Sequence, residues 1–373
     1  MTSQPDDPPR RRSIGAQASA VLVVRVVCTA MGIVVFVLLS RSLSPANFGR
    51  FAIGIVLSDI GSMLVDTPLF AIQMREGAAS PEIEPALARW IETRRIILEF
   101  AVAFVLVLVA LGVSGSTSGF IAMSIIIATV PMGGLQVGLV FFQQRRMLGL
   151  LAMVLLVQSV LWLAVAAVLA AIGVGIIGFA IGYAVAAFVF SLTVRVTEQL
   201  ARRGDPPAQQ KWKGSPAIMK EAAQLSFGSI LSVGYYKIDS VLVLRINGAR
   251  AGGIYALAYR FIDQGQILPL TLSNIFQPAL AVEHVERSTP AAVFDRYLRI
   301  TLLLSIPSVV LGIILARWIV LTVFGQPYHD SVWILRLLLL ALVPISIGYV
   351  VMGTAVAAHR IGKCSEHGRR IRK

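Results

Sequence analysis

Two stretches of this chain, residues 100–144 and 150–194, each run 45 residues without one charged side chain. Crossing the hydrocarbon core of a bilayer takes about 20 apolar residues. Each stretch is therefore too long for one crossing and right for two. Each also carries turn chemistry near its middle: Ser114-Gly115-Ser116-Thr117-Ser118-Gly119 in the first, Gly173-Val174-Gly175 in the second. Such Gly and Ser clusters break helices, so both stretches read as tight hairpins of membrane helices. The composition agrees: 57% of residues are hydrophobic and 14% are charged, against about 25% charged in an ordinary soluble domain. Too little polar surface exists to cover a soluble body. A soluble enzyme, a disordered protein and a coiled coil are excluded, and an all-α polytopic membrane protein is predicted.

About ten segments are long enough to span: 18–40, 51–71, 96–114, 119–142, 150–172, 174–194, 225–246, 252–280, 298–324 and 331–358. Lys and Arg then orient them. With the N-terminus inside, 24 of the 33 fall in inside loops and tails, four in outside loops and five within spans. Cytoplasmic loops carry this excess, so both termini are expected in the cytoplasm. The same bias accounts for the net charge of +14, and nucleic acid is not implied. The first apolar run is interrupted by Arg25 and has no cleavage-type site, so it is not read as a removable signal. The expected organisation is a cytoplasmic tail (1–17), a first six-helix lobe (18–194), a linker with a basic interfacial helix (195–224), a second lobe (225–358) and a basic tail (359–373). Two cysteines and four scattered histidines match no disulfide framework and no metal spacing, and no cofactor is implied.

The chain resembles itself at an offset of 204 residues. Gly49-Arg50-Phe51-Ala52 falls on Gly253-Ile254-Tyr255-Ala256, Asp59-Ile60-Gly61 on Asp263-Gln264-Gly265, and Arg95-Ile96 on Arg299-Ile300. Parallel repeats of this sort are common in secondary transporters, with the substrate between them. A six-span unit leaves the second copy with four spans. Where a fifth should begin stands Cys364-Ser365-Glu366-His367-Gly368-Arg369-Arg370-Ile371-Arg372-Lys373, which is expected to stay out of the membrane.

Charges deep in a span are costly and mark function by default. The deep set is Asp59 in the second span, Lys237 and Asp239 in the seventh, and Arg260 and Asp263 in the eighth. Ser229, Ser232, Tyr236 and Asp239 share one helical face; Tyr255, Tyr259 and Asp263 share another. Two such faces predict a hydrated cavity in the second half. Arg25 lies about two turns into the first span. Glu99, Arg245 and Arg336 fall near span ends and are expected to reach the interface, and Asp66 is assigned to the kink at Pro68. No G-x-x-x-x-G-K-[ST], H-E-x-x-H or G-x-S-x-G occurs, so neither an ATP-driven pump nor an enzyme is supported.

The run from Leu39 to Phe51, LSRSLSPANFGRF, resembles the entry to the second helix of the polysaccharide biosynthesis (O-antigen-type) flippases. Tyr235-Tyr236-Lys237-Ile238-Asp239 and the run from Gly253 to Arg260, GIYALAYR, resemble their seventh and eighth helices; Phe324-Gly325-Gln326-Pro327-Tyr328 resembles the turn before the tenth. The resemblance implies the multidrug/oligosaccharidyl-lipid/polysaccharide exporter superfamily: two six-helix lobes alternating between inward-open and outward-open forms. It implies movement of an undecaprenyl-pyrophosphate-linked glycan across the bacterial inner membrane, with polysaccharide assembly proteins as partners. This chain departs from the pattern in lacking the last two helices, and loss of activity is the expectation. A pyrophosphate needs cationic partners in a low-dielectric cavity: Lys237 and Arg260 are the first candidates and Arg25 the next. Asp59, Asp239 and Asp263 are candidates for holding a coupling cation or proton, with Tyr236, Tyr255 and Tyr259 lining the cavity. A multidrug/cation antiporter, a lipid II flippase, a non-transporting scaffold of glycan assembly and an inactive truncated product stand as alternatives.

Overall fold

The computed structural model describes residues 9–79, 83–204, 216–273, 276 and 291–371. The centre of the expected linker, with Lys211-Trp212-Lys213, lies outside the described residues, as does Pro278. The helices are α1 (Pro9–Ser42), α2 (Pro45–Ala79), α3 (Glu84–Val113), α4 (Thr117–Ile127), α5 (Gly138–Gln144), α6 (Leu148–Ile172), α7 (Ile176–Ala201), α8 (Pro216–Gly265), α9 (Ala291–Ile319) and α10 (Ser331–Ile371). No strand occurs among the described residues. Among the described residues, eight helical runs are long and apolar enough to cross a membrane, or nine when the bent pair Lys220–Leu231 and Gly234–Ser273 is counted as one crossing. The chain is an all-α, multi-pass membrane protein.

The hairpins form where the charge-free stretches place them. α3 ends at Val113, and the Ser116 side chain caps α4 by accepting a hydrogen bond from Gly119 N at 3.1 Å. Arg50 Nε donates to the Ser114 carbonyl at 2.9 Å, so a cation satisfies the carbonyl end of α3. Gly173 ends α6 at φ 75°, a left-handed conformation that favours glycine. Two predicted elements differ. The segment read as one span over 119–142 is broken into α4, a 3₁₀ stretch (Val130–Val137) and α5. Pro131 sits at the start of that stretch, where it offers no N–H and blocks a regular helix. The seventh and eighth segments share one helical run, α8, interrupted at Gly248 (φ 85°, ψ 171°). One glycine turns the chain there, where a short loop was expected.

The helices group into two units, Met1–Gly253 and Ile254–Lys373. In the first, α1 packs along α6, and α2 packs on α3 and α4. One core joins Ile53, Leu57, Leu106, Met123 and Ile127 to Leu244 of α8; another joins Leu69, Ile72, Leu87 and Ile91 to Ile218 and Ala222 of α8. These contacts are why the first part of α8 groups with the preceding helices. Phe100, Phe104, Leu108 and Leu111 form an exposed stripe on α3, as a lipid-facing side requires. In the second unit α9 packs on α10, with Ser305 Oγ donating to Ser346 Oγ at 3.1 Å and Phe276 stacked on Tyr297.

The start of α2 touches the stretch after Gly248 backbone to backbone. A Cβ on Gly49 would strike the Ala249 carbonyl oxygen and stand 2.5 Å from Gly253 N. A Cβ on Gly253 would strike the Pro45 carbonyl oxygen and stand 3.1 Å from Gly49 N. Pro45 and Ala249, like Gly49 and Gly253, are 204 residues apart. Equivalent positions of the internal repeat therefore meet reciprocally, the signature of a local two-fold axis.

Candidate functional site

Five of the predicted residues fall in the first unit. Arg25 on α1 and Asp59 on α2 are exposed, while Tyr236, Lys237 and Asp239 on α8 are half-buried. Asp59 is an electrostatic neighbour of Tyr183 on α7, whose ring packs edge-on against Phe51 and Trp162. Asp239 Oδ1 accepts a hydrogen bond from Ser240 N at 2.7 Å, and the Tyr235 and Tyr236 rings meet edge to face at 5.0 Å.

The other four fall in the second unit. Tyr255 and Tyr259, one helical turn apart, bring their rings to 5.7 Å. Arg260 and Asp263 follow on the same helix, both half-buried. Further along, Gln266 Oε1 accepts from the Tyr349 hydroxyl of α10 at 3.3 Å. The structure thus pairs two of the three tyrosines, and divides the nine residues five and four between units.

Two of the cavities among the described residues lie in the first unit, and none of the nine residues lines either. One, of about 240 Å³, is lined by Cys28, Gln158, Ser159, Trp162 and Tyr183 among others. The other, of about 290 Å³, is lined by Asp66, Thr67, Phe70, Arg95, Gln136, Leu139, Val140 and Gln143. At this second cavity two sequence assignments need correcting. Glu99 does not reach an interface: it is 0% exposed. α3 begins at Glu84, ahead of the predicted span at 96, and carries Glu99 fifteen residues inside its helix. Asp66 does not merely serve the Pro68 kink; it pairs with Arg95 at 2.7 Å. Arg95 Nε donates to Glu99 Oε1 at 2.9 Å, and Glu99 Oε2 accepts from Gly134 N at 2.9 Å. That amide belongs to the broken 3₁₀ stretch. The i, i+4 spacing of Arg95 and Glu99 was the signal in the sequence; the partner Asp66, on another helix, had none.

Ion pairs continue along the seam between α3 and α7. Arg195 meets Glu92 at 3.0 Å. Arg202, just past α7, grips both Glu84 oxygens at 2.8 Å, donates to Glu198 at 2.8 Å, and lies over the Phe141 ring at 4.0 Å. Burial works against the Arg202 charge, but hydrogen bonds and charges of Glu84 and Glu198 outweigh it and hold its pKa above the ordinary arginine value.

Residues 38–333 match a family model described as polysaccharide biosynthesis protein. Solved structures share the fold. An inward-facing multidrug resistance MATE family transporter of the MOP superfamily superposes with a TM-score of 0.73 at 15% identity, over 88% of this chain and 81% of that one. The lipid II flippase MurJ, in an inward closed conformation, superposes with a TM-score of 0.67 at 14% identity, over 90% and 75%. A MOP superfamily transporter from Pyrococcus furiosus gives 0.66 at 15% identity, over 92% and 82%. No curated protein matches the sequence.

Proposed function

The chain belongs to the polysaccharide biosynthesis protein family, and on that premise we propose that it is a secondary flippase, moving a polyprenyl-pyrophosphate-linked oligosaccharide across the bacterial inner membrane with both termini in the cytoplasm. The observation that carries this reading is the family match extending over most of a multi-pass helical chain. Lys237 and Arg260, with Arg25, are the cations for the pyrophosphate. Asp59, Asp239 and Asp263 are the carboxylates for a coupling cation or proton, and Tyr236, Tyr255 and Tyr259 face the glycan. The aromatic pair Tyr255–Tyr259 suits a sugar, whose C–H faces pack on rings. The polyprenyl tail stays in lipid.

The test is reconstitution of the protein in vesicles with a fluorescent polyprenyl-pyrophosphate oligosaccharide. Loss of label to a membrane-impermeant quencher reads the flipped fraction. Flipping in vesicles with protein and not in empty ones would support the reading and overturn the loss of activity expected from the sequence. Lys237→Ala and Arg260→Ala are each expected to cut the rate by at least tenfold, the loss of about 1.4 kcal/mol or more in a charge-assisted phosphate contact. Normal flipping by both variants would remove them as ligands. Transport of organic cations without flipping would replace the reading by an antiporter.

A further inference from the structure

The cavity beside the broken fourth span is built around a group of charges that the flippase reading does not use. Asp66 of α2 and Glu99 of α3 both face Arg95. Two carboxylates share one guanidinium, so with both ionised one negative charge has no counter-ion among the described residues. Among the described residues, the charged groups that face Glu99 are Arg95 and Asp66; the 3₁₀ stretch Val130–Val137 packed against it holds no titratable side chain and supplies the Gly134 amide. A residual charge in low dielectric is expensive, and a proton removes it.

The geometry provides a route and a response. Asp66 is 30% exposed at its side chain while Glu99 is closed off. Asp66 and Arg95 line a cavity of about 290 Å³ together with Thr67, Gln136 and Gln143, room for several waters at about 30 Å³ each. The response lies at Gly133 and Gly134. A Cβ on Gly133 would stand 2.5 Å from Glu99 Oε1 and 2.9 Å from the Arg95 guanidinium. Glycine there lets the broken backbone reach the carboxylate, and the Gly134 amide is bonded to it.

We propose that Asp66 and Glu99 form a proton site, loaded through the cavity, whose occupancy is read by the broken fourth span. Resting on the flippase reading, this supplies that transporter with a coupling proton at a place separate from Asp59, Asp239 and Asp263. On loading, a proton passes from cavity water by way of Asp66 to a Glu99 carboxylate oxygen, and hydroxide is left to the solvent. Arg95 then balances the one remaining carboxylate. The Gly134 amide loses its charged acceptor, and residues 130–144 loosen. On release the carboxylate recaptures the amide and the segment tightens.

The experiment uses the full chain in nanodiscs of phosphatidylethanolamine and phosphatidylglycerol. Infrared difference spectra between mildly acid and mildly alkaline buffer read protonated carboxyl groups, and hydrogen exchange reads residues 130–144. The wild-type chain should show a protonated-carboxyl band that vanishes on alkalinisation. Its exchange over 130–144, corrected for chemical rates, should rise on acidification by up to about tenfold per pH unit, the limit for one titrating proton. Glu99→Gln should lose the band and show the acid-type exchange at every pH; Asp66→Asn should shift the midpoint. Wild-type exchange that does not change with pH would overturn the proposal without recourse to any variant. So would an identical band in wild type and both variants. A titrating site in a protein that flips nothing would sink the flippase reading alone; flipping with no titrating site would sink this one alone.

Discussion

Arg202 shows how much one side chain can organise. It holds Glu84 at the start of α3, Glu198 near the end of α7 and the Phe141 face of α5 at once. Its planar fork can satisfy two carboxylates and stack on a ring, which an ammonium cannot. Removing it leaves Glu84 and Glu198 buried without their main cation. Breaking a buried pair this way costs about 3–5 kcal/mol. Arg202→Ala should therefore lower the thermal unfolding midpoint in detergent markedly, followed by tryptophan fluorescence. Arg202→Lys should recover only part of the loss, because it keeps the charge but neither the fork nor the stack. An unchanged midpoint in Arg202→Ala would show that the seam does not depend on this residue.

At the scale of elements, the chain turns on glycine where a longer loop would be the default. Gly173 and Gly248 both adopt positive φ, so α6 ends in a tight turn and α8 is interrupted by one residue. The Gly49–Gly253 contact uses the other property of glycine, the missing Cβ. Either residue changed to alanine would drive a methyl group into a carbonyl oxygen of the opposing backbone. Overpacking of this kind costs about 1–3 kcal/mol. Gly49→Ala and Gly253→Ala should each lower the unfolding midpoint, and by similar amounts, since the contact is reciprocal. A large loss for one and none for the other would argue against a two-fold relation at this point.

For the molecule as a whole, orientation is the property most open to test. The Lys and Arg bias predicts both termini in the cytoplasm, as the proposed function has them. Reporter fusions after Ser116 and after Gly248 should read outside, and a fusion after Gly204 should read inside. An outside reading at Gly204 would reverse the assignment. The two units have one surface property in common. Their surfaces expose large apolar side chains on helix after helix, Phe104 and Trp318 among them, which only a lipid environment tolerates.

The amino-acid sequence determined the class of fold by itself, because covering 45 uncharged residues requires lipid and because turn chemistry at Gly173 and Ser116 is local. It also carried the family, since the motifs around Gly49, Lys237 and Gly253 are contiguous. The pairing of Tyr255 with Tyr259 was legible for the same reason: one helical turn separates them. What depends on contacts between helices was not legible. Asp66, Arg95 and the Gly134 amide come from three separate elements, and nothing in the spacing of one predicts the others. Glu99 looked close to an interface because hydropathy marks where apolar residues begin, whereas the helix begins at Glu84, where backbone hydrogen bonds and the buried pair with Arg202 hold it. Only the packing of α2, α3 and the broken fourth span decides that Glu99 is buried, since burial of a charge depends on which partners the tertiary structure brings to it.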